Sequence, residues 1–181
     1  MPSLSAGAAS RDLPVAVCLS AIETRALGGA VARVLEPGDV VLLVGELGTG
    51  KTTLVQGLVS SLGCSSPVTS PTFALCETYR SEPPVTHVDL WRLEHMREII
   101  DLALDEVLEA GGVVVAEWGE AALPLFGDDA LVVRLAYCGS VEAREISFET
   151  AGERWAARRS RLATQLKMLG GNGSRGAVAT P

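Results

Sequence analysis

A chain of 181 residues, 48% of them hydrophobic, is long enough to bury one substantial core. Its net charge of −7, from 22 acidic and 15 basic side chains, argues against a protein that grips nucleic acid unaided, because a dense basic face supplies most of that affinity. Its apolar runs are broken by Gly, Glu or Lys before they reach membrane-spanning length, so the expectation is a cytoplasmic protein without membrane contact.

Residues 1–12 lack the apolar centre of a signal peptide and read as a disordered leader, with one folded domain expected over 13–169 and a flexible Gly/Ser tail over 170–181. Val15 to Leu19 predict a short strand. Ser20 followed by Glu23 is a capping-box start for a helix through about Leu35. Beyond Pro37-Gly38-Asp39, Val40 to Val44 are all apolar, as in a strand buried on both faces of a parallel sheet.

The next stretch, "GELGTGKT" from Gly45 to Thr52, matches G-x-x-x-x-G-K-[ST] between a strand and a helix, the context that pattern requires. Gly45, Gly48 and Gly50 let the chain turn with no Cβ in the way, so that backbone N–H groups can line one hollow. The helix predicted over Thr52 to Leu62 turns its positive end to the same hollow. A nucleoside triphosphate fits, with Lys51 reaching its β- and γ-phosphates and Thr52 ligating magnesium.

After Gly63, "CSSPVTSPTF" is a loop in which Thr69, Ser70 and Thr72 flank Pro71. Those hydroxyls suit a γ-phosphate sensor and equally suit a strand-entry turn. Phe73 to Tyr79 and Val85 to Asp89 read as strands joined by "RSEPP", and a helix is predicted over Arg97 to Glu109 from Ile100, Leu104, Val107 and Leu108. "VVVAEWGE" restores a buried strand, and Leu131 to Tyr137 and Glu145 to Phe148 are the last ones. On the final helix, from about Glu153, Arg154, Arg158, Arg159 and Arg161 are read as a solvated face beside an apolar stripe of Trp155, Leu162, Leu166 and Leu169. Cys18, Cys64, Cys76 and Cys138 form no C-x-x-C pair and are expected as reduced, mostly buried thiols. The fold class is α/β, a P-loop NTPase-like domain with a mixed, mainly parallel sheet flanked by helices.

Hydrolysis needs carboxylates near the metal and the attacking water. Asp89 and Glu117 qualify, each an acid at the end of a predicted buried strand. Glu117 is assigned to magnesium, directly or through water, and Asp89 to water activation or the outer metal shell; the reverse assignment stays open. His87 shares a strand face with Asp89 and is read as a packed core histidine.

The set "GELGTGKTT", "SPTF", "HVDLWRL" and "AEWGE", in this order, resembles the TsaE family, the small bacterial ATPase of tRNA threonylcarbamoyladenosine biosynthesis, over roughly Leu19 to Phe148. The resemblance implies ATP and Mg2+ as ligands, with Gly48, Thr49, Gly50, Lys51, Thr52 and Thr53 around the phosphates and Thr52 and Glu117 on the metal. It implies that Asp89 and Trp118 are needed for activity, and that Ser70, Pro71, Thr72, Phe73 and the "DLWRL" segment act as switches. Arg92 and Arg97 are candidates to dock a partner or respond to nucleotide, or else make surface pairs. One departure is Trp91, where the family usually has tyrosine. The implied partners are a TsaD-type threonylcarbamoyl transferase and its TsaB-type companion, with tRNA met only through that complex and hydrolysis resetting it between rounds. Tyr137 and Arg144 are the residues the resemblance suggests for the adenine. The enzyme alternative is a small-molecule kinase using Arg154 to Arg161 as a lid; a third class is a nucleotide-sensing module without useful turnover.

Overall fold

A computed structural model describes residues 13–71, 74–93 and 95–172. The strand β2 (Val40–Val44) is apolar throughout because it has neighbours on both edges and helices over both faces. It pairs in parallel with β5 (Val113–Glu117) and β6 (Leu131–Cys138). With β1 (Ala16–Cys18), β3 (Cys76–Tyr79), β4 (Val85–Asp89) and β7 (Ser140–Thr150) it forms a seven-stranded sheet of order β1-β7-β6-β2-β5-β4-β3. The four central strands run parallel, and antiparallel partners flank them on both sides.

Strand alternation divides the core into two layers. Val41, Leu43, Val113, Val115, Leu131 and Val133 belong to one apolar cluster with Leu27 and Val31 of α1 (Ala21–Ala32), Leu54 and Leu58 of α2 (Lys51–Ser61), and Trp155, Leu162 and Leu166 of α6 (Gly152–Asn172). Val40, Leu42, Val114, Ala116 and Val132 belong to the other, with Ile99 of α3 (Met96–Ile100) and Leu104 of α4 (Leu104–Glu109). A 3-10 turn over Gly119–Ala122 and α5 (Leu123–Phe126) close the path from β5 to β6. A Cβ on Gly57 would fall onto the Arg25 carbonyl, so α1 and α2 lie backbone against backbone and hold the start of α2 over the sheet. Among the described residues no helix is long and apolar enough to cross a membrane, and all four cysteines are free, two buried and two partly buried.

Several sequence expectations change. The helix foreseen over Arg97 to Glu109 is two short ones, α3 and α4, separated at Ala103, which adopts the left-handed conformation at φ 49°. The predicted stripe counted Ile100 as core, yet Ile100 is 57% exposed and its neighbour Ile99 only 2%. Burying both Ile99 and Leu104 needs the turn between them. The helix α1 ends at Ala32 rather than near Leu35, and β7 runs from Ser140, well before Glu145. The helix α6 continues to Asn172, and Thr72 and Phe73 lie outside the described residues.

The largest correction concerns the basic helix. Arg158 is only 4% exposed and donates from both terminal nitrogens to the two oxygens of Asp39, at 2.6 and 2.7 Å, and to the Val34 carbonyl at 3.0 Å. Arg154 caps the Pro37 and Gly38 carbonyls, Arg161 meets Glu36, and Arg159 bonds Thr150. Hydrogen bonds to Asp39 raise the pKa of Arg158 despite its burial. Arg154, Arg158 and Arg161 dock α6 on the turn before β2, and Arg159 ties it to the end of β7. A lid over the loop that follows β2 is therefore not what they form, and the solvated-face reading fails at Arg158.

Candidate active site

Parallel register brings three strand ends level: Glu117 pairs with Leu43 on one side and with Asp89 on the other. Beside them the chain leaves β2 and turns through Gly45 to Gly50 into α2, with φ of 77° at Gly48 and 96° at Gly50, values that side chains rarely adopt.

The outer polarity of this loop is already taken up. Lys51 Nζ donates to the carbonyls of Gly45 (2.8 Å) and Glu46 (2.9 Å), Tyr137 Oη to Leu47 (2.9 Å), and Arg144 to Gly48 (3.0 Å) and Thr49 (3.0 Å). Thr49 Oγ1 adds a bond to Glu46 at 2.8 Å. With five successive carbonyls engaged, the polarity left for the hollow is that of amide hydrogens and the N-terminus of α2, an arrangement selective for anions. Tyr137 and Arg144 thus support the loop backbone.

Lys51 is 4% exposed, and burial lowers its pKa, ahead of the opposing influence of Glu117, Glu120 and Asp89. Its ammonium lies 3.8 Å from the centre of the Trp118 ring, a cation–π contact, and Trp118 in turn meets Trp91 with ring centres 4.2 Å apart. Trp118 sits at φ 59°, so the chain pivots immediately after Glu117 and carries the indole back over the lysine.

Thr52 Oγ1 donates to Glu117 Oε1 at 2.7 Å. Ser70 Oγ donates to Asp89 Oδ2 at 2.7 Å and the Trp91 amide to Asp89 Oδ1 at 3.0 Å. The sequence-predicted residues Lys51, Thr52, Thr53, Ser70, Asp89, Glu117 and Trp118 line one cleft of about 400 Å3, with Gly48, Gly50, Leu47 and Trp91. An adjoining hollow of about 420 Å3 begins at Gly48, Thr49, Gly50 and Thr53 and extends to Thr24, Val141 and Arg144. Gly45 stands behind the loop, Pro71 is buried next to Ser70, and Arg92 is exposed on the turn after β4.

His87 is the packed core histidine that its strand face predicts, and it also meets Glu117, a contact the sequence did not reveal. It is fully buried, its Nε2 lies 2.9 Å from Glu117 Oε1, and among the described residues its Nδ1 has no hydrogen-bond partner. An orphaned buried polar atom of this kind costs about 1–3 kcal/mol. The available signal was the alternation that put His87 and Asp89 on one face of β4. The Trp91–Trp118 contact had none, since both residues follow strand ends in loops.

A family model described as "Threonylcarbamoyl adenosine biosynthesis protein TsaE" matches residues 18–146. The chain belongs to the TsaE family. Its relatives include the tRNA threonylcarbamoyladenosine biosynthesis protein TsaE of Streptomyces coelicolor, 42% identical over 139 residues that cover 73% of this chain and 93% of that protein. The TsaE protein of Bacillus subtilis is 37% identical over 134 residues, covering 74% of this chain and 83% of that one. A crystal structure of Bacillus subtilis YdiB superposes with a TM-score of 0.71 at 28% identity, covering 83% of this chain and 93% of the other. Within TsaE, residues 18–146 hold the loop, the acids and the tryptophan pair, whereas α6 and its arginine clamp lie beyond the matched region.

Proposed function

We propose that this TsaE chain binds ATP with Mg2+ in the cleft and hydrolyses it to ADP and phosphate in tRNA N6-threonylcarbamoyladenosine synthesis, its cycle resetting a transferase complex. The observation that carries the reading is the 2.7 Å bond from Thr52 to Glu117, which sets two hard oxygen donors side by side at the mouth of an anion-selective loop. Those donors fit magnesium. Among the described residues no group of three His, Cys, Asp or Glu could hold a metal by itself, which suits a cation that keeps waters and borrows phosphate oxygens.

Bound there, Mg2+ would neutralise charge between the β- and γ-phosphates. Thr52 could give a lone pair to the metal while its O–H still donates to Glu117. Lys51 neutralises phosphate oxygens, and the amides of Gly48 to Thr53 orient them. Asp89, held at both oxygens by Ser70 and the Trp91 amide, orients the attacking water from a fixed position. The adjoining hollow at Thr24, Val141 and Arg144 takes the nucleoside. The partners are a TsaD-type transferase and a TsaB-type companion, and a chain of net charge −7 leaves tRNA contact to them.

Calorimetry with ATP and Mg2+ tests binding; phosphate release with and without the purified transferase and companion tests the enzyme. Slow hydrolysis that the complex accelerates, and that Glu117→Gln abolishes while ATP still binds, is the expected result. ATP affinity unchanged in Lys51→Ala would refute the loop assignment.

A further inference from the structure

We propose that His87 is a positioning residue for Glu117, holding the carboxylate so that Oε2 is the oxygen offered to the metal side of the cleft. The proposal rests on the reading of Glu117 as the metal-side acid. A glutamate carboxylate turns easily about its last torsion, where the energy wells are broad. One donor leaves that roll free, whereas two donors from different elements fix it. Thr52 comes from α2 and His87 from β4, and both reach the same oxygen, Oε1, at 2.7 and 2.9 Å. Oε2 then keeps its valence for the cleft that Glu117 lines.

The ring makes this bond and a tilted contact with Tyr79, ring centres 6.3 Å apart, which needs no ring nitrogen. Nδ1 has no partner among the described residues, so the proton of a neutral imidazole belongs on Nε2, where it donates to Oε1. A leucine would fill the same interior beside Val85 and Val115 without leaving a polar atom unsatisfied. Packing therefore does not account for a histidine here. A fixed donor to a metal-side carboxylate does, in the way that outer partners of metal ligands set ligand orientation.

The experiment titrates ADP by calorimetry into the full-length chain and into His87→Leu, His87→Gln and Glu117→Gln, each with and without Mn2+, and follows bound Mn2+ separately by electron paramagnetic resonance. His87→Leu is expected to keep the wild-type melting temperature or exceed it, and to bind metal-free ADP normally. It should lose about tenfold or more of the affinity gain that Mn2+ provides. His87→Gln, whose amide can donate from nearly the same place, should recover most of it. A full Mn2+ gain in His87→Leu, with the gain lost in Glu117→Gln, overturns the role of His87 and leaves the site reading standing; a full gain in both variants brings down the two together. Should His87→Leu not fold, 15N NMR of the wild-type imidazole decides. A proton on Nε2 supports the proposal, and one on Nδ1 overturns it, because Nε2 could then not donate.

Discussion

Buried charge gathers at both ends of β2, and the two clusters are satisfied in different ways. Before the strand, Arg158 and Asp39 match fork to fork, and further bonds from Glu36 N to Asp39 and from Arg158 to the Val34 carbonyl use up what remains. After the strand, Lys51 makes do with carbonyls of its own loop and the face of Trp118, and a histidine nitrogen has no partner among the described residues. A cluster whose cation meets a buried carboxylate through two short bonds holds structure together. One whose cation rests on backbone and an indole, beside an open cleft, is arranged for a ligand that brings its own charge.

Removing one partner from each cluster should break them in opposite ways. The largest effect is expected from Asp39→Ala, which strands a buried guanidinium: a loss of about 3–5 kcal/mol in chemical denaturation, with nucleotide affinity of the folded fraction unchanged. Replacing the pair together, Asp39→Leu with Arg158→Met, should restore most of that stability, since well-packed apolar substitutes for buried ion pairs are often neutral. At the other end Lys51→Met should change stability by less than about 1 kcal/mol, because the two lost hydrogen bonds are offset by relief of a desolvated charge. The same variant should weaken ATP binding by roughly 3 kcal/mol, about a hundredfold, in calorimetry. A Lys51→Met that unfolds while Asp39→Ala stays stable would reverse the comparison.

Smaller effects sharpen it. Trp91 is 55% exposed, so Trp91→Ala should cost only about 0.5–1.5 kcal/mol of its contact with Trp118, and the change in Trp118 fluorescence on adding ATP measures whether the pair responds to nucleotide. Tyr79→Phe is expected to cost about 1 kcal/mol or less at neutral pH, from the lost bonds to the Thr69 carbonyl and Glu77, and to show its distinctive effect in alkali. Burial, ahead of the neighbouring Glu77 and Cys64 charges, pushes the Tyr79 phenol from 10.0 up to about 12. The folded state therefore keeps a proton that the unfolded chain releases, and the resulting stabilisation, complete below pH 10, is lost as the pH climbs toward 12. Tyr79→Phe should flatten that limb of the stability curve.

The family model and the relatives agree with what the motifs implied about membership, and they bear on the region that carries the site. The family model matches only through residue 146, so the arginine clamp of α6 lies outside the region that defines the family.

Much of this was legible in order along the chain. An all-apolar run such as Val40 to Val44 states its burial outright, a serine three residues before a glutamate caps α1 as written, and glycines at Gly45, Gly48 and Gly50 with Lys51 and Thr52 announce an anion hollow. The ends of β4 and β5 also marked Asp89 and Glu117 before their cross-strand pairing was seen. These features depend on neighbours within one turn or one strand, and periodicity carries that information.

Contacts between distant segments were decided by the tertiary structure. Whether Arg158 meets solvent or Asp39 is settled across 119 residues, and whether His87 packs or serves Glu117 across 30. The helix over Arg97 to Glu109 divides because the sheet face below it claims Ile99 and Leu104 together. Local pattern names which side chains can be buried or charged; only the packed sheet determines what each of them faces, because burial free energy is settled by the partner and not by the position in the chain.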